Sequence, residues 1–143
     1  MREMAEDRGL TLLELSRLAE KDESIDREID ERSARYAAEG DGFVLDARIG
    51  WHFVPASFKV FLDVQPEVAA SRVFGARRGT EPENVDLMTT LRTIERRTES
   101  ERQRYLDYYG IDYLDPGHYD LVIDTSNLTP EQVVDSIVIA LGW

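Results

Sequence analysis

Hydrophobic and polar positions in the first forty residues are spaced as they are along helices. This spacing predicts three helices, over residues 2–8, 11–20 and about 25–39. Gly9 suits the end of the first helix, and Thr11 with Glu14 has the spacing of a capping box at the start of the second. Ser24 is the expected cap of the third helix, and Gly40 is its expected end.

From residue 43 onwards, short apolar runs alternate with helical segments. Three of these runs are predicted strands, over residues 43–45, 58–64 and 121–123. Further helices are predicted over residues 66–77, about 82–109 and from 130 towards the end of the chain. Continuous apolar strands separated by helices predict an α/β fold, with a parallel sheet covered by helices on both faces.

Proline and glycine mark the ends of the later helices. Pro66 and Pro82 are each expected in the first turn of a helix, and Gly110 is the expected end of the longest one. Thr129 followed by Pro130 is a strong start signal for the last helix.

Composition narrows the class of protein. A length of 143 residues with 42% hydrophobic content predicts one domain over residues 1–143. The absence of cysteine excludes disulfides and thiolate chemistry. A net charge of −12 argues against nucleic-acid and anionic-membrane partners, and no apolar run reaches the ~18 residues of a membrane span. The N-terminus has no apolar signal core, so we expect a cytoplasmic location.

Arginine supplies 15 of the 17 basic residues. A guanidinium group forms paired hydrogen bonds with phosphate or carboxylate, so one interpretation is a local anion site in an acidic protein. The other interpretation is a general preference of the genome for arginine.

The carboxyl ends of the predicted strands are the first places to look for a ligand, as in other open α/β sheets. Arg48 follows Asp46 and Ala47 directly after the first predicted strand, where it suits an anionic ligand. A surface salt bridge in this loop is the alternative.

The long predicted helix carries a second candidate. Arg97, Glu101 and Arg104 are spaced i, i+4 and i+7, so they share one face of the helix. The two guanidinium groups suit a phosphate, and the carboxylate suits a hydroxyl or amine. An exposed helix with i,i+4 ion pairs would have the same spacing.

The connection between two predicted helices is a third candidate. Arg72, Arg77 and Arg78 with Gly79 would form a basic lid over phosphates, although basic residues are also common near helix C-termini. His52 and His118 are far apart in sequence and no HExxH pattern is present, so we expect no metal site.

Several segments in order resemble archaeal-type and related bacterial cytidylate kinases. They include RxxSExxRY at residues 97–105, YYGID at 108–112 and YDLVIDTS at 119–126. The resemblance covers essentially the whole chain and implies the fold of P-loop nucleoside-monophosphate kinases. It also implies transfer of a phosphoryl group from ATP, with Mg²⁺, to CMP or dCMP.

The resemblance implies roles for individual residues. Arg2 and Arg48 match arginines at the CMP phosphate, and Arg97, Glu101 and Arg104 match the set that holds phosphate, ribose and cytosine. Residues 1–40 correspond to the monophosphate-binding part and residues 72–104 to the lid region, where Arg77 and Arg78 are the catalytic candidates.

One departure from the family pattern is large. The sequence has no GxxxxGK(S/T) motif, and neither lysine follows a glycine-rich loop. We therefore expect no tight binding of ATP or Mg²⁺ to this chain alone, and no activity unless a P-loop segment is restored. The resemblance also implies that a central strand is missing, so we expect exposed strand edges and self-association.

Three interpretations follow from the sequence. The chain is an enzyme whose Met1 is an internal methionine, a non-catalytic nucleotide-binding module, or an oligomerisation module of the same fold. The base preference among CMP, dCMP and UMP is left open by the sequence.

Overall fold

The computed structural model describes residues 1–39, 42–76 and 79–143. Within these ranges the helices are α1 (Arg2–Asp7), α2 (Leu12–Ala19), α3 (Glu23–Glu39), α4 (Gly50–Phe53), α5 (Pro66–Ala76), α6 (Leu87–Tyr109) and α7 (Pro130–Leu141). The two strands are β1 (Val60–Asp63) and β2 (Leu121–Asp124), and a 3-10 turn covers Pro116–His118.

The two strands pair in parallel, which confirms the predicted α/β class with a parallel sheet. Val60 is aligned with Leu121, and the register continues to Asp63 opposite Asp124. The carboxyl ends of both strands therefore meet at one edge, where Thr125 donates its backbone N–H to the Asp63 carbonyl over 2.8 Å.

The strand predicted over residues 43–45 is wrong. This segment is irregular, and no strand in the described part of the chain pairs with it. Val44 is 99% exposed, so the apolar run does not enter a core. Three apolar residues form a strand only where a neighbour accepts and donates their backbone hydrogen bonds, and the sequence pattern does not reveal that neighbour.

The first three helices form one apolar core. Its buried members are Met4, Ala5, Leu15, Ala19 and Ile25. The predicted capping box of α2 is present, since Thr11 and Glu14 exchange both of its hydrogen bonds. The expected cap of α3 was wrong: Asp22 accepts the backbone N–H of Ser24 over 3.0 Å, and Ser24 lies inside the helix. The expected end at Gly40 lies outside the described residues.

The long helix α6 begins five residues later than the sequence predicts. Pro82 lies in a turn closed by a 3.2 Å hydrogen bond from the backbone N–H of Asn84 to the Glu81 carbonyl. Asp86 caps the helix instead, by accepting the backbone N–H of Thr89 over 2.7 Å. The predicted end is confirmed, because Gly110 takes the left-handed conformation with φ 68°.

A second core joins α6 to the segments on either side of it. Its buried members are Ile49, Tyr105, Ile111 and Tyr113. Trp51 and Phe53 of α4, a short helix that the sequence pattern did not indicate, pack against this cluster. The C-terminal part of α6 is therefore fixed from one side, and residues 49–53 are packed close to it.

Candidate functional site

A cavity of about 920 Å³ lies between α1, α3, the segment around residue 48 and α6. Its volume is within the ~300–1,000 Å³ range of small-molecule sites. Three of the predicted site arginines, Arg2, Arg48 and Arg97, are on its wall together with Glu101. Arg32 and Arg35 of α3 add further positive charge to the same wall.

Arg48 is held in the cavity by Glu101. Its Nε donates to Oε2 of the carboxylate over 3.0 Å, and the Glu101 side chain is only 5% exposed. The negative charge of Glu101 raises the pKa of Arg48, against the opposing effect of burial. A buried carboxylate thus points the arginine of an irregular loop towards α6.

Arg97 is a mostly buried cation of this cavity, and one of its hydrogen-bond donors is unused among the described residues. Its side chain is 15% exposed, and Nη2 lies 3.8 Å from Oε1 of Glu101, which is longer than a hydrogen bond. Its buried Nε has no hydrogen-bond partner among the described residues. Burial lowers the pKa of Arg97; the charges of Glu101 and Glu81 oppose this effect, and those of Arg48 and Arg2 add to it. A buried guanidinium with free donors is suited to an anion.

Arg2 reaches the cavity from the first turn of α1. Its Nη2 donates to Oε1 of Glu81 over 3.1 Å, and the Asn84 amide donates to the other oxygen over 3.0 Å. Sequence reasoning missed Glu81, which is 6% exposed. No local pattern could have identified it, because Arg2 lies 79 positions away in the chain.

Arg104, unlike the other predicted residues of α6, is not among the residues that line the cavity. It lies behind the cavity wall, where Nε donates to Oδ2 of Asp26 over 2.6 Å and Nη1 donates to the Ser100 hydroxyl over 2.6 Å. The side chains of the pair are 5% and 1% exposed. Burial raises the pKa of Asp26 although the Arg104 hydrogen bond opposes this shift.

The lid candidates Arg77 and Arg78 lie outside the described residues. Arg72, the third arginine of that region, donates from Nη2 to the Thr125 carbonyl over 2.7 Å. This hydrogen bond links α5 to the loop that follows β2.

Across residues 1–39, 42–76 and 79–143, no group of three or more His, Asp or Glu side chains is arranged to hold a metal ion. We therefore assign no magnesium ligands to this chain. None of the helices in these ranges is long and apolar enough to cross a membrane.

The described residues form an α/β protein with a parallel sheet and an arginine-lined cavity beside its longest helix. Residues 1–127 match the model of the cytidylate kinase-like family. The chain belongs to this family.

Curated relatives agree with the assignment. The chain is 35% identical to a cytidylate kinase of Methanobrevibacter smithii over 98% of its own length and 78% of the relative. It is 40% identical to a cytidylate kinase of Methanothermobacter thermautotrophicus, over 91% of this chain and 77% of that one. An S-adenosylmethionine-dependent nucleotide dehydratase of Lacinutrix mariniflava is 35% identical over 91% of this chain but only 26% of its own. No solved structure is a significant match.

Proposed function

We propose that the cavity binds the 5′-phosphate of CMP or dCMP, as the acceptor in phosphoryl transfer from ATP. The observation that carries the proposal is that Arg2, Arg48 and Arg97, from three separate segments, line one cavity. Three guanidinium groups around one space form a site for a doubly charged phosphate.

Two buried carboxylates, Glu101 and Glu81, position these arginines. Glu101 holds Arg48 at 3.0 Å and lies 3.8 Å from Arg97, so it keeps two cations beside the space that the phosphate would occupy. Its remaining acceptor capacity suits a ribose hydroxyl. Glu81 holds Arg2 through a 3.1 Å contact between Oε1 and Nη2.

Transfer to the acceptor depends on positioning and on neutralising charge. In this proposal the three arginines hold the acceptor phosphate in place, and they lower the repulsion between two negatively charged phosphate groups. ATP with Mg²⁺ supplies the phosphoryl group when bound. The printed sequence has no GxxxxGK(S/T) motif, so we assign no residues to the ATP phosphates. Residues 1–40 would be the acceptor part, and residues 72–104 the lid region with Arg77 and Arg78.

The test is calorimetric titration with CMP and, separately, with Mg·ATP. We expect CMP to bind, and Arg97→Ala to weaken that binding more than about tenfold, because a charge-assisted contact contributes about 1.5–3 kcal/mol. Arg96→Ala is the matched control, since Arg96 is the exposed neighbour on the same helix.

The outcomes separate the interpretations. Equal affinities of the wild type and Arg97→Ala for CMP would overturn the assigned role, and no CMP binding by the wild type would overturn the proposed function. CMP binding without Mg·ATP binding would favour a nucleotide-binding module, whereas binding of both would favour a kinase.

A further inference from the structure

Tyr105 is an aromatic residue that the second core shares with the wall of the cavity. It is 5% exposed and belongs to the buried cluster around α6, yet it also lines the cavity. Its ring meets the ring of Tyr113 edge to face, with 5.7 Å between the ring centroids. Because packing fixes the ring, the position of the hydroxyl group is fixed as well.

The hydroxyl group of Tyr105 differs from those of two neighbouring tyrosines. Tyr109 donates its hydroxyl to Asp30, and Tyr119 donates to the Tyr113 carbonyl. Within residues 1–39, 42–76 and 79–143 the Tyr105 hydroxyl makes no hydrogen bond, and it is not among the fully enclosed atoms that lack a partner. Buried tyrosines usually pair this group, so a ligand in the cavity is the partner that it lacks.

Tyr105 continues a row of cavity residues along α6. Arg97, Glu101 and Tyr105 are spaced i, i+4 and i+8, and all three line the cavity. At about 1.5 Å per residue, neighbours in this row are ~6 Å apart along the helix axis. Side chains on a helix lean towards its N-terminus, so the long side chain of Tyr105 reaches back towards Glu101.

The electrostatics of the hydroxyl agree with this placement. Burial raises the pKa of Tyr105, and among the surrounding charges that of Glu101 adds most to this shift. The hydroxyl therefore keeps its proton at neutral pH, so it can both donate and accept a hydrogen bond. A carboxylate, which only accepts, thus lies near a group that can take either role.

This pair of groups matches the diol of a ribose, whose adjacent 2′- and 3′-hydroxyls each donate and accept. In a nucleotide whose phosphate is held at Arg97, the sugar comes next and lies at the level of Glu101. We propose that Glu101 accepts from one of the two ribose hydroxyls and that the Tyr105 hydroxyl bonds to the other. This inference rests on the proposed function of the cavity. It makes Tyr105 a specificity-determining residue in a site that favours CMP over dCMP.

The enclosure of the two groups makes a missing hydroxyl costly. The Glu101 side chain and Tyr105 are each 5% exposed. A deoxynucleotide leaves one of them without its partner in a place where little water can replace it. Sites that hydrogen-bond a hydroxyl of the substrate reject analogues that lack it.

The first experiment uses the unaltered protein and three ligands. CMP, dCMP and the 3′-deoxy analogue of CMP are titrated calorimetrically. We expect both deoxynucleotides to bind at least about threefold more weakly than CMP, because each loses one hydrogen bond. If either of them binds as tightly as CMP, the inference is overturned and the proposed function stands. No binding of any of the three would overturn both.

The second experiment removes the hydroxyl from the protein. Tyr105→Phe keeps the ring, and we expect it to weaken CMP binding about three- to tenfold. The same substitution should have no effect on the affinity for one of the two deoxynucleotides, the one that lacks the hydroxyl bonded to Tyr105.

Tyr113→Phe is the matched control. Tyr113 is a buried tyrosine of the same core, but it is not among the residues that line the cavity, so this variant should keep the wild-type affinities. An unchanged CMP affinity in Tyr105→Phe, or an equal loss for all three ligands, would contradict the inference. If Tyr105→Phe does not fold, the ligand series on the wild type decides.

Discussion

Two buried carboxylates, Asp26 and Asp30, lie one turn apart on α3 and have different partners. Asp26 is bonded to a cation, Arg104, whereas Asp30 accepts from the neutral hydroxyl of Tyr109. Burial raises the pKa of Asp30, the negative charge of Asp26 adds to this shift, and the Tyr109 hydrogen bond opposes it. Asp30 is therefore a residue whose ionisation costs stability.

The pH dependence of stability should reveal this cost. A carboxyl group with a raised pKa binds its proton more tightly in the folded state, so its favourable contribution is greatest below its usual 3.8 and is lost as the pH rises through the folded pKa. We expect the Tm of Asp30→Asn, relative to wild type, to increase from pH 4 to pH 7. Asp107→Asn, an exposed change on α6, is the control. Parallel melting curves for Asp30→Asn and wild type across this range would contradict the prediction.

Individual residues of the candidate site could be predicted from the sequence only where they share a helical spacing, follow a predicted strand or match a family segment. Arg97, Glu101 and Arg48 follow from helical spacing and from the end of a predicted strand, and the resemblance added Arg2. Asp26 and Glu81 meet their arginines across 78 and 79 positions, so no local spacing indicates them. The geometry that pairs them is created by folding.

Helix α6 is the element that organises the candidate site, since Arg97, Glu101 and Arg104 are all on it. The sequence predicted its end but not its start. Gly110 is a clear signal for a helix end, because glycine readily takes the left-handed conformation found there. The start is ambiguous in the sequence, because Pro82 and Asp86 both suit the beginning of a helix. The helix starts after Asp86 because the Asp86 side chain accepts a hydrogen bond from the backbone N–H of Thr89.

Removal of that cap should lower stability measurably. We expect Asp86→Ala to reduce the free energy of unfolding by about 1 kcal/mol, the usual contribution of an N-cap. Urea denaturation is the measurement, and Glu95→Ala on the exposed side of α6 is the control, with a change within ~0.5 kcal/mol. If the two variants unfold at the same urea concentration, the cap does not determine where α6 begins.

At the scale of the molecule, the parallel sheet is short, and each of its strands lies at a sheet edge in the described part of the chain. It has two strands in the described ranges, and Leu62 and Val122 on them are 50% and 44% exposed. The parallel α/β class was predictable from apolar runs separated by helices. The number of strands was not, because a run becomes a strand only where a partner lies beside it.

Exposed strands favour association between chains, so we expect the sedimentation coefficient of the wild type to rise with protein concentration. Val122→Lys should weaken this dependence, because a charged side chain on a short sheet opposes pairing with another chain. Val85→Lys is the control, since Val85 is also exposed but lies in the turn before α6. A concentration-independent wild type would show that this sheet needs no further strand.

The buried carboxylate of Glu101 has a consequence for the kinds of anion that the cavity accepts. An anion that draws Arg48 and Arg97 to itself competes with Glu101, and it leaves that carboxylate in a poorly solvated position. A nucleotide can compensate, because its ribose hydroxyls donate to the carboxylate, while sulfate has no such donor. The proposed site is thus selective among anions, favouring those that bring hydrogen-bond donors with their charge and excluding simple salts.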